Sequence, residues 1–115
     1  MVKINSTEFG YITVDDVTYN LDIFVYWNGK IESAEKDTRH LLTLKQTKKI
    51  LDEKLETFLI GSGQDGYFEV SDEVMKVCQT KKIQLILMPT PEAIEKFNEL
   101  IEQGKKVIAF IHVTC

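Results

Sequence analysis

Residues 58–71 read FLIGSGQDGYFEVS, and the reading of this stretch decides between two kinds of α/β fold. Gly61, Gly63 and Gly66 fall in the order G-x-G-x-x-G, directly after the apolar run Thr57–Ile60. In a dinucleotide-binding fold the third glycine opens a helix whose N-terminus holds the pyrophosphate. Here Gly66 is followed by Tyr67-Phe68-Glu69-Val70, which has strand character, and the helix signal begins only at Ser71. The acidic residue that binds ribose about 20 residues further on is also missing, since the chain there reads Met88-Pro89-Thr90. No G-K-[ST] follows the glycines, and Asp65 inside the loop repels phosphate. The sequence therefore predicts a sharp backbone turn at the end of a buried strand, with glycines supplying positive φ, and no cofactor.

Two helices flank the turn. Ser71-Asp72-Glu73 places a cap and then acids at the positive end of a helix dipole, and Val74, Val77 and Cys78 form its inner face. Ile83–Met88 is a nearly continuous apolar strand. Thr90-Pro91-Glu92 marks a third helix, with proline at the first helical position, an apolar stripe of Ala93, Ile94, Phe97, Leu100 and Ile101, and Gly104 as its stop. Val107–Val113 is the last strand. Upstream, Thr43 with Gln46 matches a capping box, and Leu44, Thr47, Ile50 and Leu51 share one face of a first helix.

The first third of the chain reads as strands. Phe9–Val14 turns at Asp15-Asp16, where Asp tolerates turn geometry. Val17, Tyr19, Leu21, Ile23, Val25 and Trp27 then recur with period two, which places them on one face of a strand. Asn28-Gly29 signals a hairpin returning through Lys30–Glu32. The fold class that results is α/β: a mixed central β-sheet with N-terminal β-hairpins and a β-α-β-α-β second half, in two or three layers, with helices flanking the sheet. The 115 residues suit a single domain over 1–115.

Composition narrows the function. Lys and Arg number 14 against 18 Asp and Glu, a net charge of −4, and the lysines occur as scattered pairs. Nucleic-acid binding needs a basic footprint, so no nucleic-acid partner is expected. No apolar run reaches the roughly 20 residues of a membrane span, and MVKINSTEFG lacks an apolar signal core. The expected location is cytoplasmic, without a membrane partner, and Cys78 and Cys115 are expected as free thiols.

Metal and nucleophile patterns are thin. In His112-Val113-Thr114-Cys115, residues 112 and 114 share a strand face and Cys115 points to the other, so convergent ligands are missing and no metal is expected. His112 is expected at a sheet end, bonded to nearby backbone. Arg39-His40 reads as a solvated loop tip, and Asp22 as a strand-surface residue. Ser62 lacks the G-x-S-x-G elbow and an evident base.

Taken together, LIGSGQDG at Leu59–Gly66, PTPEAIEKFNEL from Pro89, the YNLDIFVYWNG hairpin and the closing His112–Cys115 resemble a family of small α/β proteins defined by structural genomics of archaeal proteins. Its relatives include the mitochondrial complex I assembly factor 3 and the adipogenesis-associated domain protein of animals. The resemblance runs from Phe9-Gly10 to the end of the chain. It implies a mixed central sheet with flanking helices and brings no catalytic mechanism. Gly61, Gly63, Thr90, Asn98, His112 and Cys115 match the family pattern.

Two functions compete. One is a noncatalytic protein-binding or assembly module, with a protein partner or a homodimer, using the aromatic hairpin at Tyr26 and Trp27 as its interface. The other is a small-ligand binder or enzyme whose crevice is lined by Gly61, Ser62, Gly63, Gln64, Thr90 and His112, because ligands in open α/β sheets sit at the C-terminal strand ends. The first is favoured, since the sequence displays no nucleophile–base pair and no metal cluster.

Overall fold

The computed structural model describes residues 1–34 and 40–114. Its central sheet has five strands. They are β4 (Ile23–Tyr26), β5 (Ile31–Ser33), β7 (Thr57–Ser62), β9 (Gln84–Met88) and β10 (Val107–His112), in the order β5-β4-β10-β7-β9. β10 runs parallel to β7 and antiparallel to β4, and β9 runs parallel to β7. The sheet is therefore mixed: the hairpin β4–β5 supplies its antiparallel half and the βαβ units its parallel half. A second sheet of β1 (Ile4–Glu8), β2 (Tyr11–Val14) and β3 (Val17–Tyr19) is antiparallel throughout. β6 (Leu41–Leu42) and β8 (Glu69–Val70) make a short parallel pair.

Side chains alternate across the central sheet and build two cores. Ile23 and Val25 of β4, Leu59 of β7, and Val107, Ala109 and Ile111 of β10 face one side. They pack there under α3 (Thr90–Glu102) and the β1–β3 sheet. Phe24, Tyr26, Phe58, Ile60, Ile108 and Phe110 face the other side, under α1 (Leu44–Leu51) and α2 (Asp72–Lys81). Every residue of β7 and of β10 is buried, which is why both read as continuous apolar runs rather than alternating ones. Each core takes its half of those runs.

The helix starts follow from their caps. Thr43 and Gln46 exchange backbone-to-side-chain hydrogen bonds in a full capping box ahead of α1. Ser71 Oγ accepts from the Val74 N–H at 3.3 Å ahead of α2. Asp15 and Asp16 both have positive φ, at 47° and 66°, giving the tight β2–β3 hairpin that the right-handed strand twist favours.

Several expectations change. The run Val17–Trp27 is broken at Asn20–Asp22, where the chain leaves the small sheet and enters the central one. Val17 and Leu21 are consequently exposed, while Ile23 and Val25 are buried. β1 and β6 carry no strong sequence signal: β1 is polar on its outer face and β6 has two residues. β1 is held by its antiparallel ladder to β2 and by a tertiary contact, in which Asn98 on α3 accepts from the Ile4 N–H at 2.9 Å and donates to the Ile4 carbonyl at 2.8 Å. Arg39 and Cys115, expected at a loop tip and as a free thiol, lie outside the described residues.

The aromatic hairpin packs largely into the core. Tyr26 was a candidate interface residue, yet it is 1% exposed and belongs to the second core. Its hydroxyl donates to Glu32 Oε1 at 2.6 Å. Trp27 is half-buried against both cores, with its backbone N–H donating to the Val107 carbonyl at 3.0 Å. Burial and the neighbouring Glu32 push the Tyr26 phenol well above its usual range. The Tyr26 hydrogen bond, reinforced by Lys30 and Lys49, holds the Glu32 carboxyl down at about 2. A depressed carboxyl stabilises the fold fully above its ordinary value of 4.5 and loses that contribution as pH falls towards about 2. The Glu32→Gln variant is expected to be less stable by about 1–2 kcal/mol at pH 7. Its urea midpoint should converge on that of the parent as the acid limb is descended, whereas a constant gap at all pH values is inconsistent with this account.

Candidate functional site

The expected crevice residues do come together. β7 and β10 run in register with Gly61 opposite Ile111 and Ser62 opposite His112, and Gly61 also lies opposite Met88 of β9. The glycine loop thus follows the C-terminal end of a strand lying between two parallel neighbours. α3 begins beside that loop.

Hydrogen bonds tie the loop to the helix start. The Thr90 hydroxyl, 0% exposed, accepts from the Gly63 N–H at 2.9 Å and donates to the His112 carbonyl at 2.7 Å. The Thr90 N–H donates to the Gly63 carbonyl at 2.9 Å. Pro91 was expected at the first helical position, but α3 begins one residue earlier, at Thr90; its cap position falls to Pro89 with no side-chain cap bond, and the Thr90 hydroxyl is committed to the two strand ends. Gly61 keeps an ordinary strand φ and serves a different purpose from its neighbours. A Cβ there would lie 3.0 Å from Thr90 Oγ1 and 3.3 Å from both Ala93 Cβ and Ile111 Cδ1. Gly63 and Gly66 are the glycines that need positive φ, at 101° and 77°. Ser62 is buried and donates to the Met88 carbonyl at 3.1 Å. Gln64 donates from its backbone to the Thr114 carbonyl at 2.8 Å and from Nε2 to Thr7 Oγ1 at 3.0 Å. Gly61, Ser62, Gly63 and Thr90 are a packed junction rather than the lining of an opening.

His112 lies at the edge of this junction in a setting that the sequence did not disclose. Its Nδ1 is 2.7 Å from Asp22 Oδ2, while Asp22 Oδ1 accepts from the Val113 N–H at 3.0 Å. An ionised carboxylate only accepts, so Nδ1 carries the proton, and in the neutral ring Nε2 accepts from Thr114 Oγ1 at 3.1 Å. Phe68 stacks on the ring at 4.4 Å between centroids, and the exposed His40 meets it edge-on at 6.1 Å. Asp22, expected on the strand surface, and His40, expected at a solvated tip, are the residues that sequence reasoning did not connect to His112. They lie 90 and 72 positions away in the chain. The order carboxylate, imidazole, hydroxyl is also that of a nucleophile-activating relay. Here the ring is 6% exposed, and Asp22 bridges the ring and the Val113 N–H just after the same strand. Among the described residues no group of three or more His, Cys, Asp or Glu side chains could hold a metal ion.

A second feature of the sheet is its far edge. β9 has β7 on one side and, among the described residues, no strand on the other. Its residues are Gln84-Leu85-Ile86-Leu87-Met88, uncharged throughout, with Leu87 49% exposed. Such an edge offers unpaired backbone groups to an incoming strand, and proteins ordinarily guard it with charge, proline or a bulge. The opposite edge, β5, is three residues long and carries Glu32 with its two lysines.

The chain belongs to the family described as protein of unknown function (DUF498/DUF598), whose model matches residues 4–112. It is similar over nearly its whole length to a conserved hypothetical protein from Pyrococcus horikoshii OT3. That likeness has 31% identity and a TM-score of 0.87, and it covers 98% of this chain and 99% of that one. The structure called MT938 is 29% identical with a TM-score of 0.83, and all of both chains is covered. A Mth938-like domain of Bordetella pertussis shares the fold at 17% identity and a TM-score of 0.77, covering 96% of this chain and 85% of that one. Among the described residues no helix is long and apolar enough to cross a membrane.

The junction makes a sharp prediction. Thr90→Val keeps the shape but leaves the Gly63 N–H and the His112 carbonyl without their partner, and is expected to cost about 2–4 kcal/mol. Gly61→Ala forces a methyl against a hydroxyl pinned by two hydrogen bonds and is expected to cost about 1–3 kcal/mol. Chemical denaturation of both variants checks this. A neutral Gly61→Ala would mean that the junction has room to yield.

Proposed function

We propose that this member of the DUF498/DUF598 family is a noncatalytic protein-binding module of the assembly type, working in the cytoplasm, and that its docking element is the outer edge of β9, which no described strand covers. The observation that carries the reading is the contrast between the two edges of one sheet. β5 is short and charged, whereas β9 presents five uncharged residues and an exposed Leu87. An extended segment that adds to such an edge gains main-chain hydrogen bonds, with alternate side chains giving specificity. The resemblance to an assembly factor points the same way. So does the burial of Gly61, Ser62, Gly63 and Thr90, with Thr90 Oγ1 3.0 Å from where a Gly61 Cβ would lie. Tyr26 is withdrawn from the interface by burial, and Trp27 contributes at most its exposed rim.

The test is site-specific photocrosslinking in the cells that natively make the protein. A benzoylphenylalanine in place of Leu87 is expected to give a discrete covalent adduct. The same group in place of Val17, which is 52% exposed on the other sheet, is expected to give none. No adduct from position 87 overturns the reading.

A further inference from the structure

We infer that the occupant of the β9 edge is the β9 edge of a second copy of this chain, paired antiparallel about a two-fold axis through Ile86. The inference rests on the docking role proposed above and specifies the partner. The Gln84 N–H donates inward to the Glu56 carbonyl at 3.0 Å, on the β7 side. Strand alternation then turns the N–H groups of Ile86 and Met88 towards β7 and leaves the N–H and C=O groups of Leu85 and Leu87 pointing outward.

That pattern selects a register. With Ile86 on the two-fold axis, Leu85 of each copy lies opposite Leu87 of the other, and both pairs exchange hydrogen bonds through the groups that now point outward. Gln84 lies opposite Met88, so all five residues are paired. Each alternative centre on Leu85 or Leu87 shortens the overlap.

The side chains agree with that register. Leu85 packs partly into the second core, and Ile86 and Met88 into the first. Leu87 shares the face of Leu85 but is 49% exposed. The two-fold axis lays it against the half-covered Leu85 of the other copy, a cross-strand apolar pair. No residue of β9 carries charge, so two identical copies meet without a like-charge contact in the strand itself, whereas two β5 edges would oppose Glu32 to its own kind. The product is one continuous ten-stranded sheet. A five-residue edge is a small interface, below the about 1,200 Å² of stable complexes, so the association is reversible and concentration-dependent.

Analytical ultracentrifugation of the purified chain from micromolar to millimolar concentration tests this. The expected result is a shift from 13.3 kDa towards twice that mass. Leu87→Lys is expected to weaken it by about tenfold or more, by putting charge into the strand pair. Leu87→Pro removes an outward N–H without touching the β7 ladder and should weaken it likewise. The register is read separately. In a Cys115→Ser background, Ile86→Cys is expected to form an intermolecular disulfide on mild oxidation, because the residue on the axis faces its own copy at the short spacing of a non-hydrogen-bonded pair. Leu85→Cys should do so far less. A chain that stays at 13.3 kDa at millimolar concentration overturns the homodimer, and an efficient Leu85→Cys disulfide overturns the register. If the chain stays monomeric while position 87 crosslinks to a different protein, the second copy is wrong and the docking edge stands. If there is neither self-association nor an adduct, both fail.

Discussion

The Thr90 hydroxyl stands where three segments that are remote in sequence must meet. It receives the Gly63 N–H and gives its own proton to the His112 carbonyl. Those two bonds tie the start of α3 to the ends of β7 and β10, neighbouring strands of the central sheet that are buried along their whole length. In a dry interior each backbone group it satisfies would otherwise cost the full penalty of desolvation. Much else is positioned by this arrangement. Gly61 has no side chain because Thr90 and Ala93 occupy that space. α3 starts without a side-chain cap, and its first hydroxyl is used elsewhere. The glycine loop is held against Thr114 and Thr7 through Gln64.

His112 continues the same junction from the opposite face of the sheet. Its carbonyl goes to Thr90, and its ring goes to Asp22 at the point where the chain enters β4. Asp22 reaches both the ring and the Val113 N–H, so one carboxylate secures the end of β10 twice. The carboxylate–imidazole–hydroxyl set thus ties strand ends together beside Phe68, and the edge strands form the rim of the sheet. At that rim the two edges of the central sheet differ. Glu32 and its lysines guard β5, whereas β9 has only apolar side chains and one glutamine.

Much of the fold was legible because its signals are local. The capping box at Thr43–Gln46, the cap at Ser71, the Asp15-Asp16 turn and the apolar stripe of α3 each depend on residues within one or two turns of chain. The absence of a helix directly after Gly66 was equally local, and it removed the dinucleotide reading. β1 and β6 were not legible, since they become strands by pairing with β2 and β8, and through the Asn98 anchor of β1 to α3, rather than by their own pattern. The run Val17–Trp27 looked continuous because period two carries straight through Asn20–Asp22, although the chain changes sheets there.

The sequence alone placed the glycine loop beside the helix start at Thr90, because both follow the ends of apolar strands; that His112 joins them follows from the direction of β10 in the structure. It also determined the mixed α/β class, because periodicity and caps are written in neighbouring residues. Only the tertiary structure decided that Gly61, Ser62, Gly63 and Thr90 are buried and packed together, that Asp22 meets His112, that Tyr26 is buried, and that, among the described residues, β9 ends one side of the central sheet. Those outcomes depend on distances between residues tens of positions apart, and on which strand happens to lie last in a sheet. Periodicity carries no record of either.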